Sequence, residues 1–143
     1  METSGFCPQA DLEAAAAYTD LFLFDVKETD AARHKAYTGV DFHRIHENAG
    51  FLSRLGKELV LRCPLIPGYN LRRDHALGIA ALAGKWQGVK AIQLQPYHPL
   101  GVDKYANLGL EPVCADRAFL DHEAAEEFRR CLAAETDIPV SIS

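Results

Sequence analysis

Several apolar runs in this chain end abruptly in charged or hydrogen-bonding residues, and those ends are where chemistry would collect. The stretch LFLFDVKETD places Asp25 and Lys27 after a short aromatic-rich run, with only Val26 between them. A run of this length and composition predicts a buried strand, and alternation directs Asp25 and Lys27 to the same side. Burying an acid beside a base is costly unless they pair or bind something. The opening residues Glu2 and Thr3 read as the tail of an earlier strand. Arg62 ends a later run, and Gln95, Tyr97 and His98 end the next. Together they offer recognition of a polar, zwitterionic small molecule. Arg62 suits a carboxylate through its planar fork. Glu2 and Asp25 supply oxygens for an ammonium, a hydroxyl or a hard cation. Lys27 neutralises the acids or holds an anion, and His98 donates to a ring or ribose or moves a proton. The competing reading is a rim whose polar groups satisfy one another.

Other residue types add less. Ser4 has no His–acid partner assignable from its surroundings. LIPGYN and PLGVDKY lack the glycine spacing of a phosphate loop. The four cysteines, Cys7, Cys63, Cys114 and Cys131, form no Cys-x-x-Cys pair and read as reduced thiols, so no metal site is expected. His43 and His46 lie at i, i+3 spacing without a third ligand and read as a solvated face; His75 and His122 read as exposed helix residues. Trp86 reads as packing.

The elements that must position the polar ends alternate throughout. A helix is expected after Pro8, a strand at Leu21–Phe24, and a short helix capped by Thr29 and ended by Gly39. A helix over Asp41–Leu55, a strand over Glu58–Cys63 halted by Pro64 and Pro67, and a helix opened by Asn70 follow. A strand ending at Pro96, an amphipathic helix over Asp116–Glu135 and a last strand in IPVSIS complete the series. Such alternation implies parallel strands joined by helical crossovers, and the fold class read from it is α/β, a partial parallel (β/α) barrel. In such a barrel chemistry gathers at the C-terminal strand ends. The 143 residues suit one domain, and 48% hydrophobic with 24% charged residues is ordinary for a globular protein. A net charge of −5 argues against a general nucleic-acid binder. No membrane span is expected, and the acidic start METSGFCPQADLE lacks a basic signal-peptide region, which predicts a cytoplasmic protein.

The phrases ETSGF, FLFDVKETDAARHKAYTGV, LVLRCPLIPGYN and IQLQPYHPLGVDKYANLG occur in this order. The series resembles the C-terminal half of the glycyl-radical-enzyme activating enzymes, typified by pyruvate formate-lyase activating enzyme, in the radical S-adenosylmethionine (radical SAM) superfamily. The resemblance implies a partial barrel that binds S-adenosylmethionine and a [4Fe–4S] cluster. It implies cleavage of the cofactor to a 5′-deoxyadenosyl radical, which abstracts hydrogen from a glycine of a partner glycyl radical enzyme. It also implies that Glu2, Thr3, Asp25, Lys27, Arg62 and His98 surround S-adenosylmethionine. Two departures stand out: the family's Cys-x-x-x-Cys-x-x-Cys and Gly-Gly-Glu segments are absent from this sequence, and Glu2 stands where aspartate is common. Residues 1–143 therefore read as the C-terminal portion of a radical SAM domain without its cluster-binding half. Alone, the chain is expected to carry no cluster, to leave S-adenosylmethionine uncleaved, and to expose an unpaired sheet edge. Two alternatives remain: a non-catalytic half-barrel docking on a partner, or a small α/β lyase or aldolase using Lys27 and Asp25.

Overall fold

The computed structural model describes residues 1–98, 107–109 and 119–143. Among these, the strands are β1 (Glu2–Thr3), β2 (Leu21–Asp25), β3 (Glu58–Leu65), β4 (Val89–Pro96) and β5 (Val140–Ile142). The helices are α1 (Gln9–Ala16), α2 (Ala31–Thr38), α3 (Phe42–Arg54), α4 (Arg73–Lys85) and α5 (His122–Ala133). All strand pairs are parallel, and the sheet order follows the chain, β1-β2-β3-β4-β5. Sequential parallel strands with crossovers of one hand put every helix on the same face. The result is the α/β partial barrel expected from the alternation.

Burial along the strands shows the two faces. Phe22, Phe24 and Val26, Leu59, Leu61, Cys63 and Leu65, and Ile92 and Leu94 are buried beneath the helices. Leu12, Ile45, Leu52, Ile79, Phe128 and Leu132 meet them from the helical side. Each such side chain contributes roughly 2 kcal/mol through burial, so this seam holds the fold. The opposite face carries the alternate residues, among them Leu23, Asp25, Arg62, Gln93 and Gln95, each partly exposed, with Val60 the buried exception.

Several boundaries differ from expectation. β3 runs through Pro64 to Leu65. Val26 N–H donates to the Arg62 carbonyl at 2.8 Å, so Arg62, and Pro64 two residues on, direct their main-chain groups toward β2. β2 has already ended there, its last pair being Asp25 with Arg62. The missing proline N–H therefore breaks no ladder bond. Asp30, not Thr29, caps α2, its Oδ1 accepting from Arg33 N–H at 2.8 Å. Asn70 does not open α4; Arg72 stands at the N-cap and Asn70 bonds to strand-end main chain. α5 starts at His122 with Asp121 before it. Of the earlier start expected, residues 116–118 lie outside the described residues, and Phe119 and Leu120 are not helical. α2 and α3 do end before Gly39 and Gly56.

Candidate functional site

The C-terminal ends of β1, β2, β3 and β4 form one rim. Register sets Asp25 beside Arg62 and Pro64 beside Gln95. The Arg62 guanidinium reaches across β2 to an ion pair with Glu2. With the Gln95 amide turned to present its oxygen, that oxygen accepts from Arg62 Nε at 2.9 Å. One arginine thus links three strand ends, and only about a fifth of its side chain, 21%, is exposed.

Asp25 behaves differently. It is half-buried, and among the described residues nothing donates a hydrogen bond to its carboxylate. Desolvation raises its pKa above the ordinary carboxylate value, Lys27 and Arg62 pull it down, and Glu2 pushes it up. Asp25 and the exposed Lys27 line a cavity of about 150 Å³ with Ser4, His34 and Thr38. His34 is 2% exposed, its ring Nδ1 lying 3.1 Å from the Val40 carbonyl. Thr3 shapes the β1–α1 turn: its Oγ1 accepts from Gly5 N–H at 3.0 Å. Gly5 has φ 71°, and a Cβ there would lie 2.7 Å from Phe24 Cε2, so only glycine suits the position. Asn48, buried in α3, donates to the Gly5 and Cys7 carbonyls at 2.7 and 3.0 Å. His98 is exposed, two residues past β4. The structure therefore brings Glu2, Asp25, Lys27 and Arg62 to one rim and gives Thr3 a role in the turn, while His98 lies exposed two residues past the end of β4 with no described contact to them.

Sequence reasoning missed a second polar group just behind this rim. Glu28 is wholly buried and accepts from Thr29 N–H at 2.9 Å, Asp30 N–H at 3.1 Å and Arg72 Nη2 at 2.9 Å. His75, expected on an exposed helix face, is wholly buried; its Nδ1 lies 3.0 Å from Thr29 Oγ1 and 3.3 Å from Glu28 Oε1. Burial lowers its pKa, Glu28 opposes this, and Arg72 adds to it. The available signal was a polar cluster a few residues after each of two successive strands, ETD and YNLRRD. His43 is exposed and pairs with Glu47, as a solvated face requires, but His46, expected on the same face, is partly buried with its ring 5.4 Å from that of Trp86. Trp86 is buried and packs edge-on to Phe24 at 6.0 Å.

The donor set tests which groups the rim accommodates. A half-buried carboxylate without a donor among the described residues, beside an arginine, a lysine and a second acid, fits a zwitterion such as S-adenosylmethionine. A [4Fe–4S] cluster does not fit the described residues, because thiolates must converge on one cube. Cys63 is buried in β3, its thiol pushed up by burial, while Cys7 lies in the β1–α1 turn and Cys131 on α5. Among the described residues no three His, Cys, Asp or Glu side chains are grouped to hold a metal, and Cys114 lies outside them. Lys27 is exposed and lacks the desolvation that activates an amine nucleophile, so the aldolase-type alternative gains no support.

Sequential parallel strands with a polar rim at their C-terminal ends make a partial (β/α) barrel, and solved structures share that fold. A domain of pyruvate-formate lyase-activating enzyme from Bacteroides vulgatus superposes with a TM-score of 0.77 at 18% identity, over 99% of this chain and 78% of that one. A radical SAM methyltransferase from Sphaerobacter thermophilus gives 0.70 at 15% identity, over 99% and 39%. No protein-family model matches. Among curated proteins, the choline trimethylamine-lyase activating enzyme of Oleidesulfovibrio alaskensis is 37% identical over 99% of this chain and 46% of its own length. The isethionate sulfite-lyase activating enzyme of Nitratidesulfovibrio vulgaris is 37% identical over 96% and 44%. The pyruvate formate-lyase-activating enzyme of Staphylococcus aureus is 29% identical over 99% and 59%. The chain is thus related to the glycyl-radical-enzyme activating enzymes, the family its motifs resemble. It spans about half the length of these curated relatives.

Proposed function

We propose that this chain supplies the S-adenosylmethionine-holding rim of an activating enzyme for a glycyl radical lyase. The observation that carries the proposal is Asp25: a half-buried carboxylate with no donor among the described residues, its register neighbour Arg62 already engaged by Glu2. Asp25 takes a ligand ammonium, hydroxyl or bridging cation, and Lys27 sets the local charge. Arg62 holds Glu2 and Gln95 in place and offers its remaining N–H groups to a carboxylate, Thr3 fixes the turn beneath them, and His98 closes the rim toward the adenosine. Bound and reduced, S-adenosylmethionine supplies radical chemistry for hydrogen abstraction. The partner is a glycyl radical enzyme, and the compartment is the cytoplasm, where thiols stay reduced.

Equilibrium dialysis with labelled S-adenosylmethionine tests the reading. The chain should bind the cofactor saturably, and Asp25→Asn should weaken binding roughly tenfold or more, the effect of a lost charge-assisted hydrogen bond. Equal retention by wild type and Asp25→Asn would sink the assignment.

A further inference from the structure

We propose that Asn70 and Arg72, both in the β3–α4 turn, are the positioning residues of Lys27; the inference rests on reading the rim as the S-adenosylmethionine site. Lys27 is exposed on a long flexible stem, so its ammonium stands in a defined place only if the main chain beneath it is held. That main chain lies two residues beyond the last paired residue of β2, one past the Val26 N–H that still donates to the Arg62 carbonyl. The turn after the neighbouring strand takes over. Asn70 is 2% exposed and uses its whole carboxamide: Oδ1 accepts from Ile66 N–H at 2.7 Å, and Nδ2 donates to the Lys27 carbonyl at 3.0 Å and the Pro64 carbonyl at 2.7 Å. Two residues on from Asn70, Arg72 Nη2 donates to both oxygens of Glu28, the residue after Lys27, at 3.1 and 2.9 Å. Lys27 is therefore fixed at its own carbonyl and at the side chain that follows it.

The second hold is itself braced. Arg72 also donates through Nη1 to the Tyr69 carbonyl and through Nε to Asp74 at 3.0 Å. Thr29 sits against α4 at Gly78, where a Cβ would come within 2.6 Å of the Thr29 Cβ. A buried ion pair is weak support for stability, since apolar residues of equal volume often do as well. What the pair does supply is direction: apolar packing would hold the loop to α4 without setting where Lys27 stands.

The test uses the full chain with Asn70→Asp and Arg72→Lys. Asn70→Asp keeps the Ile66 contact and turns two donors into lone pairs facing carbonyls; Arg72→Lys keeps the charge at Glu28 and loses the fork. Two quantities are read on folded protein: the dissociation constant for S-adenosylmethionine, and the acylation rate of Lys27 relative to Lys90, an exposed lysine on β4. Each variant should raise the dissociation constant about tenfold and change the Lys27-to-Lys90 ratio several-fold. A lower melting temperature with both readouts unchanged would make the two residues merely structural and overturn the proposal. If Asn70→Asp does not fold, Arg72→Lys decides by the same readouts. If the wild type fails to bind S-adenosylmethionine, the rim reading falls, and the acylation ratio alone still decides whether the turn positions Lys27.

Discussion

At the scale of single residues, Asp25 shows the tension between holding a ligand and holding a fold. Desolvation raises its folded pKa despite two neighbouring cations, so the folded state binds its proton more tightly than the unfolded state does. Ionised Asp25 therefore opposes folding: its contribution worsens as pH rises from the unfolded value through the raised one, and the full penalty stands at neutral pH. Asp25→Asn, which weakens ligand binding, should for this reason leave the thermal midpoint at pH 7 unchanged or higher. Calorimetry of both proteins at pH 7 checks it, and a clear fall in midpoint would show that Lys27 and Arg62 more than offset the desolvation. Arg62 is the counterexample on the same rim. Its charge is matched by Glu2, so it braces the strand ends while Asp25 waits for a partner.

At the scale of elements, the β2–α2 and β3–α4 loops behave as one unit, because Glu28, Arg72, His75 and Thr29 share a single set of bonds. His75 carries a pH signature. Burial lowers its folded value to about 4 from the ordinary 6.5, so the unfolded state takes up the proton first as pH falls. The stability His75 permits is complete above 6.5 and is lost as pH drops through the interval down to about 4. Urea denaturation at pH 5 should give a free energy about 1–2 kcal/mol below that at pH 7. His75→Asn, whose amide nitrogen replaces Nδ1 without titrating, should remove most of that difference. An unchanged acid loss in the variant would assign it to carboxylates such as Asp74, which Arg33 and Arg72 hold below the ordinary range.

At the scale of the whole molecule, the helices among the described residues lie on one face of the sheet, and α5 closes it. Leu132 is wholly buried, and Phe128 stands 6.1 Å from the His75 ring, which joins α5 to α4. Leu132→Ala should lower unfolding free energy by about 2–5 kcal/mol, as large-to-small changes in a packed seam do. Urea titration with an unchanged slope would confirm a loss of stability alone; a loss below about 1 kcal/mol would mean that α5 contributes little to the core. The opposite face leaves Leu21, at the N-terminal start of β2 and away from the polar rim, 39% exposed. Among the described residues, no helix is long and apolar enough to cross a membrane.

Local pattern determined much of this protein. Apolar runs of strand length, glycines at helix ends and alternation along β2 and β3 are encoded within a few residues, so the order of elements and the placing of Asp25 and Arg62 on one face follow from sequence alone. The family resemblance was equally legible, because motifs such as ETSGF and PLIPGYN are contiguous. Tertiary structure alone decided which polar groups meet. Arg62 pairs with Glu2 across an intervening strand, and Glu28 finds Arg72 from 44 residues away. His75 is buried because Thr29 and Phe128 close over it, which no period within α4 encodes. Pro64 extends a strand because its neighbour has already ended. Each depends on what lies across a gap in space, and a local pattern carries no information about the far side of that gap.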